Sequence, residues 1–210
     1  LALLFIAVEF KGLSHIDPGD EHVYYYMGKL VSEGYIPYKD FFFAHPPLLI
    51  AFPSLLYALF SFKLALLKSI ELLAALGSAF ITFLIARHMF NNRVAVTAAF
   101  LFLSAKLVLF ESTYYLGMNL AVLLFLIGLY FALVRERYML AGFFMALCAL
   151  TRLNLVPVIA AYAVFLFLAA KRNFWRFSLS FASIVIAVNL VFIAIAGPAF
   201  IQSVYLFHLL

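Results

Sequence analysis

FSLSFASIVIAVNLVFIAIAGPAF (177–200) is an apolar run without one charged side chain. A helix rises 1.5 Å per residue, and crossing a bilayer's roughly 30 Å hydrocarbon core takes about 20 apolar residues. This run is long enough. The rest of the 210-residue chain has the same character, with 68% hydrophobic and 11% charged residues. Ordinary globular domains have roughly 45–50% and 25%. Mean hydropathy is +1.15. A soluble fold of this size must cover its surface with polar groups, and this chain has too few. The expected class is all-α: a polytopic, integral membrane protein for which the lipid bilayer is the main solvent.

Working back from 177, further apolar stretches fall at 1–8, 46–62, 69–86, 94–110, 119–134, 138–151 and 153–170. Several are at the short end of the roughly 17–25 residues a spanning helix needs, and 138–151 is below it. Short spans suggest helices that end inside the protein or a locally thin site. The chain starts and stops inside apolar runs, LALLFIAV (1–8) and VYLFHLL (204–210), so 1–210 reads as a membrane domain from a longer chain. No A-x-A-like cleavage site follows the first run, which reads as the end of a membrane helix rather than a signal peptide. The single Cys148 makes no intrachain disulfide.

Charge orients the helices. Basic clusters occur at Arg87/His88/Arg93, Arg135/Arg137 and Lys171/Arg172/Arg176, each two crossings from the next. The positive-inside rule makes their shared side cytoplasmic. Of the nine acidic residues, only Glu136 falls on that side. If 46–62 crossed the membrane, every basic cluster would be outside. It is therefore expected to lie in or dip into the outer interface, and its Pro46, Pro47 and Pro53 suit that. Residues 9–68 become a first outer loop with juxtamembrane helices at about 20–34 and 46–62. Residues 69–210 become transmembrane helices. In the first of the juxtamembrane pair, Val23, Tyr26, Met27, Leu30 and Val31 recur at helical spacing. Asp17 is a candidate N-cap, Pro18 a first helical residue and Gly34 a C-cap.

Two clusters carry chemistry. D17-P-G-D20-E21-H22 places carboxylates at a helix start, where they either offset the helix dipole or serve a reaction at the membrane surface. D40-F-F-F-A-H45-P46-P47-L48 is either a loop leading into a helix or a rigid mount for Asp40 and His45, since proline restrains itself and the residue before it.

Together these motifs resemble the protein O-mannosyltransferase family, and more broadly the GT-C membrane glycosyltransferases that use polyprenyl-phosphate-linked sugars. Arg87-His88-Met89-Phe90 resembles the family's basic turn, Glu111 to Asn119 a second outer motif, and Thr151-Arg152 a Thr-basic pair at an outer helix junction. Asn119 stands where related enzymes often have Asp. The resemblance implies a GT-C-like helical bundle and a glycosyltransferase acting at the outer or lumenal face, in a prokaryotic plasma membrane rather than the endoplasmic reticulum. It would move a sugar from a polyprenyl-phosphate donor to an acceptor hydroxyl of protein, lipid or polysaccharide. By resemblance Asp20 is the base, supported by Glu21. Asp40, His45, Arg152, Lys106 and Glu111 are candidate substrate-binding residues. Arg152 is either a phosphate ligand, which its planar fork suits, or a snorkelling side chain at a helix end. Lys106 has the same two readings, with Glu111 as a possible ion-pair partner.

No metal and no cofactor is expected. His15, Asp17, Asp20, His22 and His45 show no HxxxH or CxxC spacing, and the related mannosyltransferases are not generally thought to need a metal. There is no phosphate loop or nucleophile elbow. The net charge of +5 follows topology and does not argue for nucleic acid. The alternatives are a polytopic transporter, which would place ionisable groups on broken helices near the midplane, or a non-catalytic membrane scaffold.

Overall fold

The structure, a computed structural model, describes residues 1–15 and 19–207. Asp17 and Pro18, the expected cap and first helical residue, lie outside the described residues. The described residues are helical and contain no strand, apart from one isolated bridge between Pro37 and Phe41. α1 (Ala2–Glu9) runs into a 3₁₀ turn (Phe10–Ser14). α2 (Asp20–Ser32) and α3 (Leu48–Phe60) follow. The longer elements are α4 (Leu64–Met89), α5 (Asn92–Ser104), α6 (Lys106–Ser112), α7 (Met118–Leu133), α8 (Tyr138–Thr151), α9 (Val156–Ala169) and α10 (Lys171–Ala196). Gly197 breaks the chain at φ +61° before α11 (Pro198–Ile201) and a π turn (Gln202–Leu206).

α4 and α10 are long and apolar enough to cross a membrane. α5 and α6 make a third such span if counted as one helix bent by 61°. The sequence stretch 94–110 reads as unbroken. The break comes at Ala105, which is extended (φ −67°, ψ 127°) without any proline or glycine to announce it. α3 has 13 residues, about 20 Å of helix, which is too short for the hydrocarbon core. α4 begins earlier than the apolar stretch at 69 and so takes Lys68 into a helix.

The helices pack in a row, α5–α4–α7–α8–α10–α9, and α2 packs on α3, which touches α4 and α8. α8 is the most enclosed member. Its Ala141, Gly142, Ala146 and Ala149 are small enough for neighbouring backbones to approach. A Cβ on Gly142 would stand 2.3 Å from the Phe177 carbonyl oxygen. The ends of α6 and α8 and the starts of α4 and α7 gather beneath α2 and α3. Large apolar side chains such as Leu179, Ile186, Leu190 and Val191 on α10 are exposed, a surface that calls for an apolar neighbour.

Gly34 follows α2 at φ +97°, where glycine ends a helix without strain. The helix's inward face overlaps the expected one only in part. Met27 and Val31 pack against the core, but Glu21, Tyr24, Tyr25 and Gly28 are the buried residues, whereas Val23 and Tyr26 are exposed. Tyrosine can bury its ring and still place its hydroxyl on a partner, so the apolar spacing alone found one edge of the stripe. α2 meets α3 where a Cβ on Gly28 would be 2.7 Å from Cβ of Pro53. Pro53 also lacks the N–H that would bond the Leu49 carbonyl. The Tyr115 hydroxyl donates to that carbonyl instead, at 2.5 Å.

Candidate functional site

Residues 113–117, between α6 and α7, tie this end of the molecule together. The Lys68 ammonium of α4 donates to the Thr113 carbonyl and to Oε2 of Glu21 (3.2 Å), and lies 2.9 Å from its Oε1. Both side chains are fully buried. Tyr115 is buried and stacks on Tyr25 of α2. Gly117 (φ +74°) passes so close to Leu49 that an added Cβ would be 2.2 Å from its Cδ1. Glu71, one turn after Lys68, accepts the Leu120 N–H at 3.2 Å. It thereby caps the first turn of α7 from another helix, satisfying a donor that has no intrahelical partner.

Beside this loop is a cleft of about 380 Å³ lined by His45, Arg152, Leu153 and Asn154. Arg152 follows α8, and its Nε donates to the Leu116 carbonyl at 2.5 Å. Its guanidinium lies 5.6 Å from the ring centroid of Tyr24, a cation–π contact. It is also near enough to Glu111 and Glu71 to interact electrostatically. His45 Nε2 and the Tyr24 hydroxyl are hydrogen-bonded at 2.7 Å. Tyr38 donates to the His45 carbonyl at 2.7 Å, and Pro46 restrains the backbone of His45. Burial pushes the Tyr24 phenol above its usual range; the nearby Arg152 charge pulls it back, and Asp20 adds to the rise. The cleft thus offers a fixed cation and an imidazole held by a buried phenol, an arrangement suited to an anionic oxygen cluster such as a phosphate.

The candidate residues separate into two groups. Asp20 is exposed on the first turn of α2, one turn before Tyr24. The hydroxyl of Tyr114 comes within 2.2 Å of where a Cβ on Gly19 would stand, so the second outer segment abuts the start of α2. Glu111 is buried near Arg152. Asp20, His45 and Arg152 therefore gather around Tyr24, and Glu111 lies near Arg152. Asp40 does not join them. Its carboxylate accepts the Ile36 N–H at 2.7 Å and closes its own exposed turn, facing a groove shared with Gln202 and Ser203. Lys106 is exposed at the start of α6. Glu21, expected at the surface beside Asp20, faces inward to Lys68. Asn119 is buried, and its amide reaches the Val108 carbonyl at 3.5 Å.

The sequence reading did not single out Tyr24, Lys68, Glu71, Tyr115 or Asn154. Lys68 and Glu71 left a signal, since ionisable residues three apart in an otherwise apolar helix are costly unless partnered. The chain matches no known protein family, no curated protein and no solved structure.

Proposed function

We propose that this chain is the membrane domain of a glycosyltransferase that moves a sugar from a polyprenyl-phosphate donor to an acceptor hydroxyl at its non-cytoplasmic face. The observation that carries this reading is the meeting of Arg152 and His45 in one cleft, both of them in contact with Tyr24, which lies one helical turn from Asp20. Glycosyl transfer from a lipid phosphate needs these two chemistries close together: donors for a leaving phosphate and a base for the incoming hydroxyl.

In the proposed reaction the acceptor oxygen attacks the anomeric carbon. The bond from that carbon to the phosphate oxygen breaks, and its electron pair leaves with the polyprenyl phosphate. Arg152 and His45 hold the departing phosphate. The acceptor's proton passes to Asp20. Glu21 does not share this work, because its carboxylate is spent on Lys68. It fixes α2 and hence the position of Asp20. A transport role gains nothing from the ionisable groups of α4, since Lys68 and Glu71 bind Glu21, Thr113 and the start of α7.

The test is sugar transfer from a polyprenyl-phosphate donor by the full chain, with Arg152→Lys beside the unmodified protein. Lysine keeps the charge and loses the fork. Arg152→Lys should raise the donor concentration for half-maximal rate by about tenfold or more, the cost of one strong charge-assisted bond. Unchanged donor saturation in Arg152→Lys and Arg152→Ala would return Arg152 to a snorkelling role.

A further inference from the structure

Tyr24 touches both cleft residues and has no role in the reaction as written. Its ring is buried and meets Phe43 edge-on at 6.2 Å. Its hydroxyl is used differently. The phenol oxygen lies 2.7 Å from His45 Nε2. The Arg152 guanidinium hydrogen-bonds the same phenol, and a guanidinium can only donate. An oxygen that accepts from Arg152 has one proton of its own to place, and His45 Nε2 is within reach of it. Burial keeps the phenol protonated at neutral pH. Nε2 is then the acceptor, and a neutral imidazole carries its proton on Nδ1.

The main chain of His45 does not depend on this. Tyr38 donates to its carbonyl at 2.7 Å, and Pro46 restrains its backbone. Those two leave open the rotation of the imidazole and the choice of nitrogen that carries the proton. The Tyr24 hydroxyl decides both.

We propose that Tyr24 is a positioning residue of the cleft: its hydroxyl, held by Arg152, fixes the ring of His45 in the Nδ1–H tautomer, so that imidazole and guanidinium meet a phosphate as one preset unit. The phosphate rests on the donor reading above. The chain from Arg152 through Tyr24 to His45 rests on geometry alone. Tyr24 follows Asp20 by one turn of α2. It therefore also ties the helix that carries the base to the residues that hold the leaving group.

The experiment uses the full chain in nanodiscs with ¹⁵N-labelled histidine, the His45 signals being those lost in His45→Gln. At about pH 8.5, where an imidazole is ordinarily neutral, unmodified His45 should show a protonated Nδ1 and a bare Nε2. Tyr24→Phe keeps the ring and removes the hydroxyl, and should give a mixture of the two tautomers. In sugar transfer, Tyr24→Phe should raise the donor KM about threefold to tenfold, the effect of one hydrogen bond. In a His45→Gln background the same substitution should change the donor KM little. Tyr24→Leu in that background should still raise it, because Arg152 then loses the ring as well. A protonated Nε2 in the unmodified chain, an unchanged tautomer in Tyr24→Phe, or losses that multiply fully in the Tyr24→Phe/His45→Gln variant would overturn the proposal. If Tyr24→Leu does not fold, the Tyr24→Phe and His45→Gln cycle decides alone. A tautomer that depends on Tyr24 without any sugar transfer would sink the proposed reaction and keep this hold on His45. Transfer with a tautomer indifferent to Tyr24→Phe would do the reverse.

Discussion

Lys68 carries more of the architecture than its place in the sequence suggests. It lies between two apolar stretches, where a lysine ordinarily reaches for the membrane surface. Here it is fully buried, with Glu21 and the Thr113 carbonyl as partners. The partner is 47 residues away, a separation that no local periodicity reveals. Glu21 was legible as half of an acidic pair, but its direction was not. A buried ion pair gains little over an apolar pair of similar size, yet removing one partner leaves an uncompensated charge. Lys68→Met should therefore destabilise the chain by about 3–5 kcal/mol. The combined Lys68→Met and Glu21→Leu variant should recover most of that loss. Thermal unfolding of both variants in detergent measures the coupling, and strictly additive losses would contradict the pair. Asp40 shows the complementary limit: its motif was visible, but its use in closing the turn from Ile36 to Asp40 was not.

At the scale of elements, the helices with strong apolar runs were legible, and the boundary of α8 at Tyr138–Thr151 coincides with the apolar stretch. The break at Ala105 was hidden because no proline or glycine marks it. The orientation of α2 was hidden for a different reason. Its inner stripe mixes Glu21, Tyr24, Tyr25 and Gly28, polar or small residues that a hydrophobic pattern discounts. Gly28 is there because Pro53 comes too near for a side chain. In Gly28→Ala the new methyl would start 2.7 Å from Cβ of Pro53. Both helices would have to shift, at a cost of about 1–3 kcal/mol. A melting temperature equal to that of the unmodified chain would show that α2 and α3 do not touch there. Gly34→Ala, with nothing within 4 Å of its Cβ position but φ +97°, should cost less, through backbone strain alone.

For the whole molecule, charge segregation was the most informative signal in the sequence, because it proposes an orientation for all the helices at once. The cleft could not be read that way, since His45, Tyr24 and Arg152 converge from a loop, α2 and the end of α8. The proposed topology puts residues 61–63 outside and residues 92 and 136 inside. Buried Cys148 is replaced by alanine to give a cysteine-free background. Impermeant thiol reagents applied from outside should then label Ser61→Cys and spare Asn92→Cys and Glu136→Cys. The reverse pattern would turn the molecule over and put Asp20 in the cytoplasm. The central claim is that Asp20 takes the acceptor's proton while Arg152 holds the lipid phosphate, and its most direct test is the rate of sugar transfer in Asp20→Asn. Asparagine keeps the shape and the helix start but cannot accept that proton. Transfer should fall by the roughly 10²–10⁴-fold typical of losing a general base, with donor binding intact and Asp40→Asn close to the unmodified rate. An Asp20→Asn protein that transfers sugar at the unmodified rate would contradict the account.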